Sequence, residues 1–175
     1  MSGKHPKHPA TVHFPLTFTF LTGVLDAVYL ASVTPATSGT VATVFKTLDI
    51  AIPASLFPTL SYYSTILTLL TAIPAVISGA FELQPIIARD GLGSKKAQAG
   101  VMHALINDLA LFGAAYNWWV RRSTTGFVPD TTNVAISATL ALPASFFAAY
   151  LGGQLVYQYG MGVGRGSSSN AKKAQ

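Results

Sequence analysis

The chain has no cysteine. Disulfides, thiolate metal sites, iron–sulfur clusters and covalent c-type haem attachment are therefore excluded, and the redox compartment is not readable. Charge is scarce as well. Only 10% of the 175 residues are Asp, Glu, Lys or Arg, against about 25% in soluble domains. No Gly-x-Ser-x-Gly elbow occurs, and no carboxylates pair at a spacing suited to acid–base work. Neither a soluble hydrolase nor a soluble transferase is expected. The glycines of Tyr159–Val163 lack the Gly-Lys-Ser/Thr ending of a phosphate loop.

Half of the residues are hydrophobic, and mean hydropathy is positive at +0.45. That composition points to an integral membrane protein. The net charge of +5 has a simple source in basic loops on the cytoplasmic side. No basic patch interleaved with aromatics argues for nucleic acid.

Four apolar runs are long enough to cross about 30 Å of hydrocarbon. They cover roughly residues 14–33, 60–81, 99–120 and 134–157. The expected fold is all-α, a transmembrane four-helix up-down bundle spanning 13–163. Met1–Val12 precedes it as a polar arm, extended because the His-Pro pairs at His5-Pro6 and His8-Pro9 disfavour helix. The first run exceeds a signal-peptide core and carries Asp26, so it is read as a retained helix. Thr34–Thr59 is expected as a loop with a short interfacial helix near Val41–Ile52. Glu82–Gln98 is expected as a basic loop, and residues 164–175 as a disordered tail. Trp118-Trp119 followed by Arg121-Arg122 reads as an interface anchor, with both guanidiniums outside.

Four spans place both termini on one side. That side holds Lys4, Lys7, Arg89, Lys95, Lys96, Arg165, Lys172 and Lys173, and the other Lys46, Arg121 and Arg122. The bias predicts cytoplasmic termini. Small residues recur every four positions at Ser137, Ala141, Ser145, Ala149 and Gly153. The same holds for Thr19, Gly23, Ala27 and Ala31, and for Thr71, Ala75 and Gly79. Such stripes let helices approach closely in lipid.

Polar clusters at Lys7–Pro15, Glu82–Pro85, His103–Asp108 and Gln154–Tyr159 fall at one end of the expected bundle. His13 and His103 lie on parallel helices at comparable depth, an arrangement suited to haem b between two imidazoles. Asn107, Tyr157 and Gln154 are expected around it. A non-haem metal could instead draw on His8, His13, His103 and Glu82. A purely structural polar cluster, with His13 capping its helix and His103 bonding across helices, is the bland alternative. His5 and His8 are expected to be solvated. Asp26 has no evident basic partner and is expected to face Asn107 or Asp108, or to be protonated.

The opening block His8–Pro15 (HPATVHFP), His103 with Asn107, and the closing block Gly152–Val163 (GGQLVYQYGMGV) resemble a widespread family of predicted four-helix membrane proteins catalogued as a domain of unknown function. The resemblance covers Lys7 to about Val163. It implies four spans with the motifs at one membrane face, and a loose kinship with b-type membrane cytochromes. Members often carry an acidic residue where Gln154 stands. Two intramembrane histidines are fewer than a two-haem cytochrome needs.

The expected function is accordingly a haem- or metal-binding redox protein of the membrane. The alternatives are a cofactor-free accessory subunit of a membrane complex or homo-oligomer, and a small transport or lipid-binding bundle using Asp26 and Asp108. Colour, a co-purifying partner and a flux lost in Asp26→Asn separate the three.

Overall fold

A computed structural model describes residues 7–161. It is helical, with no strand among those residues. The elements are α1 (Lys7–Thr11), α2 (His13–Val33), α3 (Pro35–Thr47), α4 (Leu56–Asp90) and α5 (Lys95–Arg121). A tight turn at Thr125–Phe127 leads to α6 (Thr131–Ile136), a π-helix (Ser137–Ala144) and α7 (Ser145–Tyr157). Among the described residues, three stretches are long and apolar enough to cross a membrane: Lys7–Val33, Leu56–Asp90 and Thr125–Tyr157.

The arm expected to be extended through Val12 is helical from Lys7. Pro9 sits in the first turn, where a missing N–H costs nothing. Hydrogen bonds from Val12 N to His8 O and from Leu16 N to Val12 O carry the ladder into α2. Met1–Pro6 and the tail beyond Met161 lie outside the described residues. Between α2 and α4, α3 starts at Pro35, earlier than expected, because proline is preset for the first helical position.

The loop expected over Glu82–Gln98 is mostly helix. α4 runs through Pro74 and Pro85 to Asp90 and stops at Gly91, whose φ of 73° suits glycine. A single charge at Glu82 does not end a helix whose next turn buries Ile86. α5 then starts at a Ser94 side-chain cap that accepts from Ala97 N at 3.2 Å.

α2 packs on α4, α4 on α5, α5 on α7 and the π-helix, and the π-helix on α2. The interior is rich in small and polar side chains. Thr22, Ser61, Ser64, Thr65, Thr68, Asn117, Asn133 and Ser137 are buried, whereas Phe20, Leu70, Ile73, Phe81, Leu109, Phe112 and Phe146 are exposed. That inverts the arrangement of a water-soluble protein. It is the distribution expected where helices meet lipid outside and approach each other through small residues inside.

The small-residue stripes meet the packing only in part. Gly23, Ala75, Ala141 and Ser145 are buried, but Ala27 and Ala149 are exposed. At 3.6 residues per turn a strict four-residue row drifts around the helix. On α7 the inward positions after Ser145 are Ala148, Leu151 and Leu155. Pro143, which has no N–H to offer the carbonyl four residues back, lies inside the π-helix.

Candidate functional site

Two polar clusters occupy the interior, at opposite ends of α5. The first centres on His8 and His103. Their ring centroids are 6.3 Å apart and the planes cross at 89°. His103 Nδ1 lies 2.8 Å from Ala148 O, and His8 Nδ1 lies 3.0 Å from Ala75 O. A carbonyl only accepts, so these contacts call for a proton on Nδ1 in both rings. Ser78 Oγ is also 3.2 Å from His8 Nδ1, and it shares a 2.9 Å hydrogen bond with Thr11 Oγ1. The His8 main-chain N–H donates to Glu82 Oε1 at 3.1 Å. Asn107 Nδ2 donates to His103 O at 2.7 Å and lies 3.4 Å from His103 Nε2.

Glycine gives both rings their room. A Cβ on Gly79 would come within 2.8 Å of His8 Cε1, and one on Gly152 within 3.2 Å of His103 Cε1. The imidazoles therefore rest against bare backbone on α4 and α7.

The expected site residues divide. His8, Glu82, His103 and Asn107 gather through the contacts above. His13 is exposed, and its carbonyl accepts from Thr17 Oγ1 at 2.7 Å. Five residues at about 100° each put His13 about 140° around the helix from His8. When one of the two faces the interior, the other faces out. That relation, together with the helical start at Lys7, was the available signal for His8. Gln154 donates to the Tyr150 hydroxyl at 2.8 Å, and Tyr157 is 91% exposed. The closing block meets the first turn of α5 through Lys96, whose Nζ donates to Tyr159 O at 3.0 Å. Among the described residues, no group of three or more His, Asp or Glu side chains is placed to hold a metal ion.

The second cluster was not expected. Arg121 is 0% and Asp26 1% exposed, and they form an ion pair at 3.2 Å. Asp26 also accepts from Ser61 Oγ at 2.5 Å and from Ser137 Oγ at 2.6 Å. Arg121 donates further to Pro58 O at 3.0 Å, Phe127 O at 2.9 Å and Ser61 Oγ at 3.2 Å. Two helices and a loop thus close on one guanidinium. Phe127 holds a positive φ of 56° and stacks on Tyr62 with centroids 4.0 Å apart, which fixes that loop. Next to it, Asn117 and Asn133 bond reciprocally: Asn133 Nδ2 to Asn117 Oδ1 at 2.9 Å, and Asn117 Nδ2 to Asn133 O at 3.2 Å.

This corrects two expectations. Asp26 does have a basic partner, and it faces neither Asn107 nor Asp108. Arg121 is not an outward anchor; Arg122 alone takes that role, with its guanidinium 3.3 Å above the Trp119 ring. The physical reason is the cost of an unpaired charge inside a bilayer, which a cation on a neighbouring helix removes. Asp108 is half-buried and makes no side-chain hydrogen bond among the described residues.

The two clusters share one face of α5, where His103, Asn107, Ala110, Ala114, Asn117 and Arg121 follow a three-and-four spacing. No curated protein and no solved structure matches the chain. The family model described as "Predicted membrane protein (DUF2231)" matches residues 4–165. With nearly its whole length matched, and three stretches fit to cross a membrane, the chain belongs to the DUF2231 family of predicted membrane proteins.

Proposed function

We propose that the protein is a four-span up-down bundle that holds one haem b between His8 and His103 and serves membrane electron transfer. The single observation behind this reading is the imidazole pair. A metal–nitrogen bond of about 2 Å on each side, plus roughly 1 Å from nitrogen to ring centroid, gives centroids about 6 Å apart. The 6.3 Å separation fits. Each Nδ1–H is anchored on a main-chain carbonyl, the usual way a ligating imidazole is oriented. Two protein ligands are enough for haem, whose porphyrin supplies the remaining nitrogens. A bare metal ion would want a third protein group, which the site does not present among the described residues.

When bound, haem supplies a one-electron couple. The chain's own part is to orient the two rings through Ala75 and Ala148, to seat them on Gly79 and Gly152, and to tie α1 to α4 through Glu82.

The fourth span in this reading is α5. Its polar residues turn inward, while Met102, Leu105, Leu109, Phe112 and Trp119 are exposed on its outer face. Burying Arg121 leaves Lys46 and Arg122 on the far side, which strengthens the positive bias towards cytoplasmic termini.

The test is an absorption spectrum of detergent-purified protein, oxidised and then dithionite-reduced, with metal analysis of the same sample. A Soret band that shifts on reduction is expected. It should vanish in His8→Ala and His103→Ala and persist in His13→Ala. A colourless protein from haem-replete cells overturns the reading. Stoichiometric zinc or iron in that colourless sample would replace haem with a metal ion.

A further inference from the structure

Between the imidazole pair and Arg121, the helices border a cavity of about 20 Å³. Its polar lining is Thr19, Thr22, Thr65, Thr68, Asn117 and Ser137. Thr22 is 6% exposed, and its hydroxyl is a buried side-chain atom with no hydrogen-bond partner among the described residues. A helical threonine ordinarily donates to a carbonyl three or four residues back. Here the carbonyl of Phe18, four back, accepts from Ser64 Oγ at 2.9 Å. Thr22 lines the cavity, and its hydroxyl is left without a bond among the described residues. The π-helix supplies one wall through Ser137, Leu140 and Ala141, and such widened turns recur beside functional sites.

The electrostatics select the occupant. Asp26 is matched by Arg121. A cation would meet only neutral oxygens close to a guanidinium, and an anion would find no unpaired positive group. A water molecule needs about 10–15 Å³ and two to four polar partners. At about 20 Å³ the cavity has room for one.

We propose that this cavity binds a single water molecule through Thr22 Oγ1 and the hydroxyl and amide groups facing it. The water joins the Thr19–Thr68 hydroxyl pair, 3.5 Å apart, to Ser137 and through it to Asp26. The buried carboxylate then stands at the end of a hydrogen-bonded chain reaching towards the centre of the bundle. This stands whether or not haem is bound.

The test is Thr22→Val in the full-length protein, read by thermal unfolding in detergent. Valine keeps the shape and removes the donor. With water bound, the midpoint falls. A midpoint that rises or does not move overturns the proposal, because removing a dry, unpartnered hydroxyl costs nothing. Should the variant fail to fold, a map of the wild-type protein that shows its surface waters decides. A peak within hydrogen-bond distance of Thr22 Oγ1 supports the site, and its absence refutes it.

Discussion

Replacing Arg121 by alanine strands the buried carboxylate of Asp26. Arg121 donates five hydrogen bonds: two to Asp26 and one each to Ser61, Pro58 and Phe127. Summing five charge-assisted bonds would overshoot, because they act as a unit. The governing quantity is the cost of leaving Asp26 buried without its cation. Breaking one side of a buried pair costs about 3–5 kcal/mol. For a chain of this size each kcal/mol lowers the unfolding midpoint by about 2–4 °C, so the midpoint should drop by about 6–20 °C. The assay is thermal unfolding in detergent, followed by circular dichroism. Asp26→Ala alone should cost a similar amount, since it strands the guanidinium. The double variant should cost clearly less than the sum of the two, because neither charge is left alone. A drop of under 2 °C for Arg121→Ala, or strict additivity in the double variant, would refute the reasoning.

Other consequences are sharp enough to check. His8→Ala and His103→Ala should each abolish haem absorbance in purified protein, and His13→Ala should leave it intact; the opposite ranking would restore His13 as the ligand. Gly79→Ala should weaken cofactor retention, since its Cβ would lie 2.8 Å from the His8 ring, whereas Gly100→Ala should be mild because the nearest atom, Leu83 Cδ1, ends a flexible side chain. Gly23→Ala drives a methyl to 2.7 Å from Leu142 Cγ and should cost about 1–3 kcal/mol by denaturation.

Length and hydropathy made the apolar helices legible, because a bilayer imposes both. Their ends were harder. Glu82 looked like a stop, but the helix continues to Gly91, where a positive φ provides one. The polar end of the bundle was visible as a set of motifs, yet which histidine faces inward depends on whether residues 7–12 are helical. Two His-Pro pairs argued against that, and the first-turn tolerance for Pro9 outweighed them. The Asp26–Arg121 pair joins residues 95 positions apart, so no local pattern announces it. What the sequence did carry was a debt: an aspartate in an apolar run, with Arg121 in register with Asn107 and Asn117 on α5. Following that helical face rather than the neighbouring tryptophans would have turned Arg121 inward.

The order in which the pair is made bears on how the chain is assembled. Asp26 enters the bilayer with the first helix. The cation that neutralises it is synthesised 95 residues later, at the end of α5. Until then, the early helices carry an acidic group that costs about 2.5–3.5 kcal/mol at a helix centre. The nascent protein is thus under tension that only the arrival of the third long helix releases. A chain truncated before Arg121 keeps the apolar stretches Lys7–Val33 and Leu56–Asp90 and loses the group that locks them together.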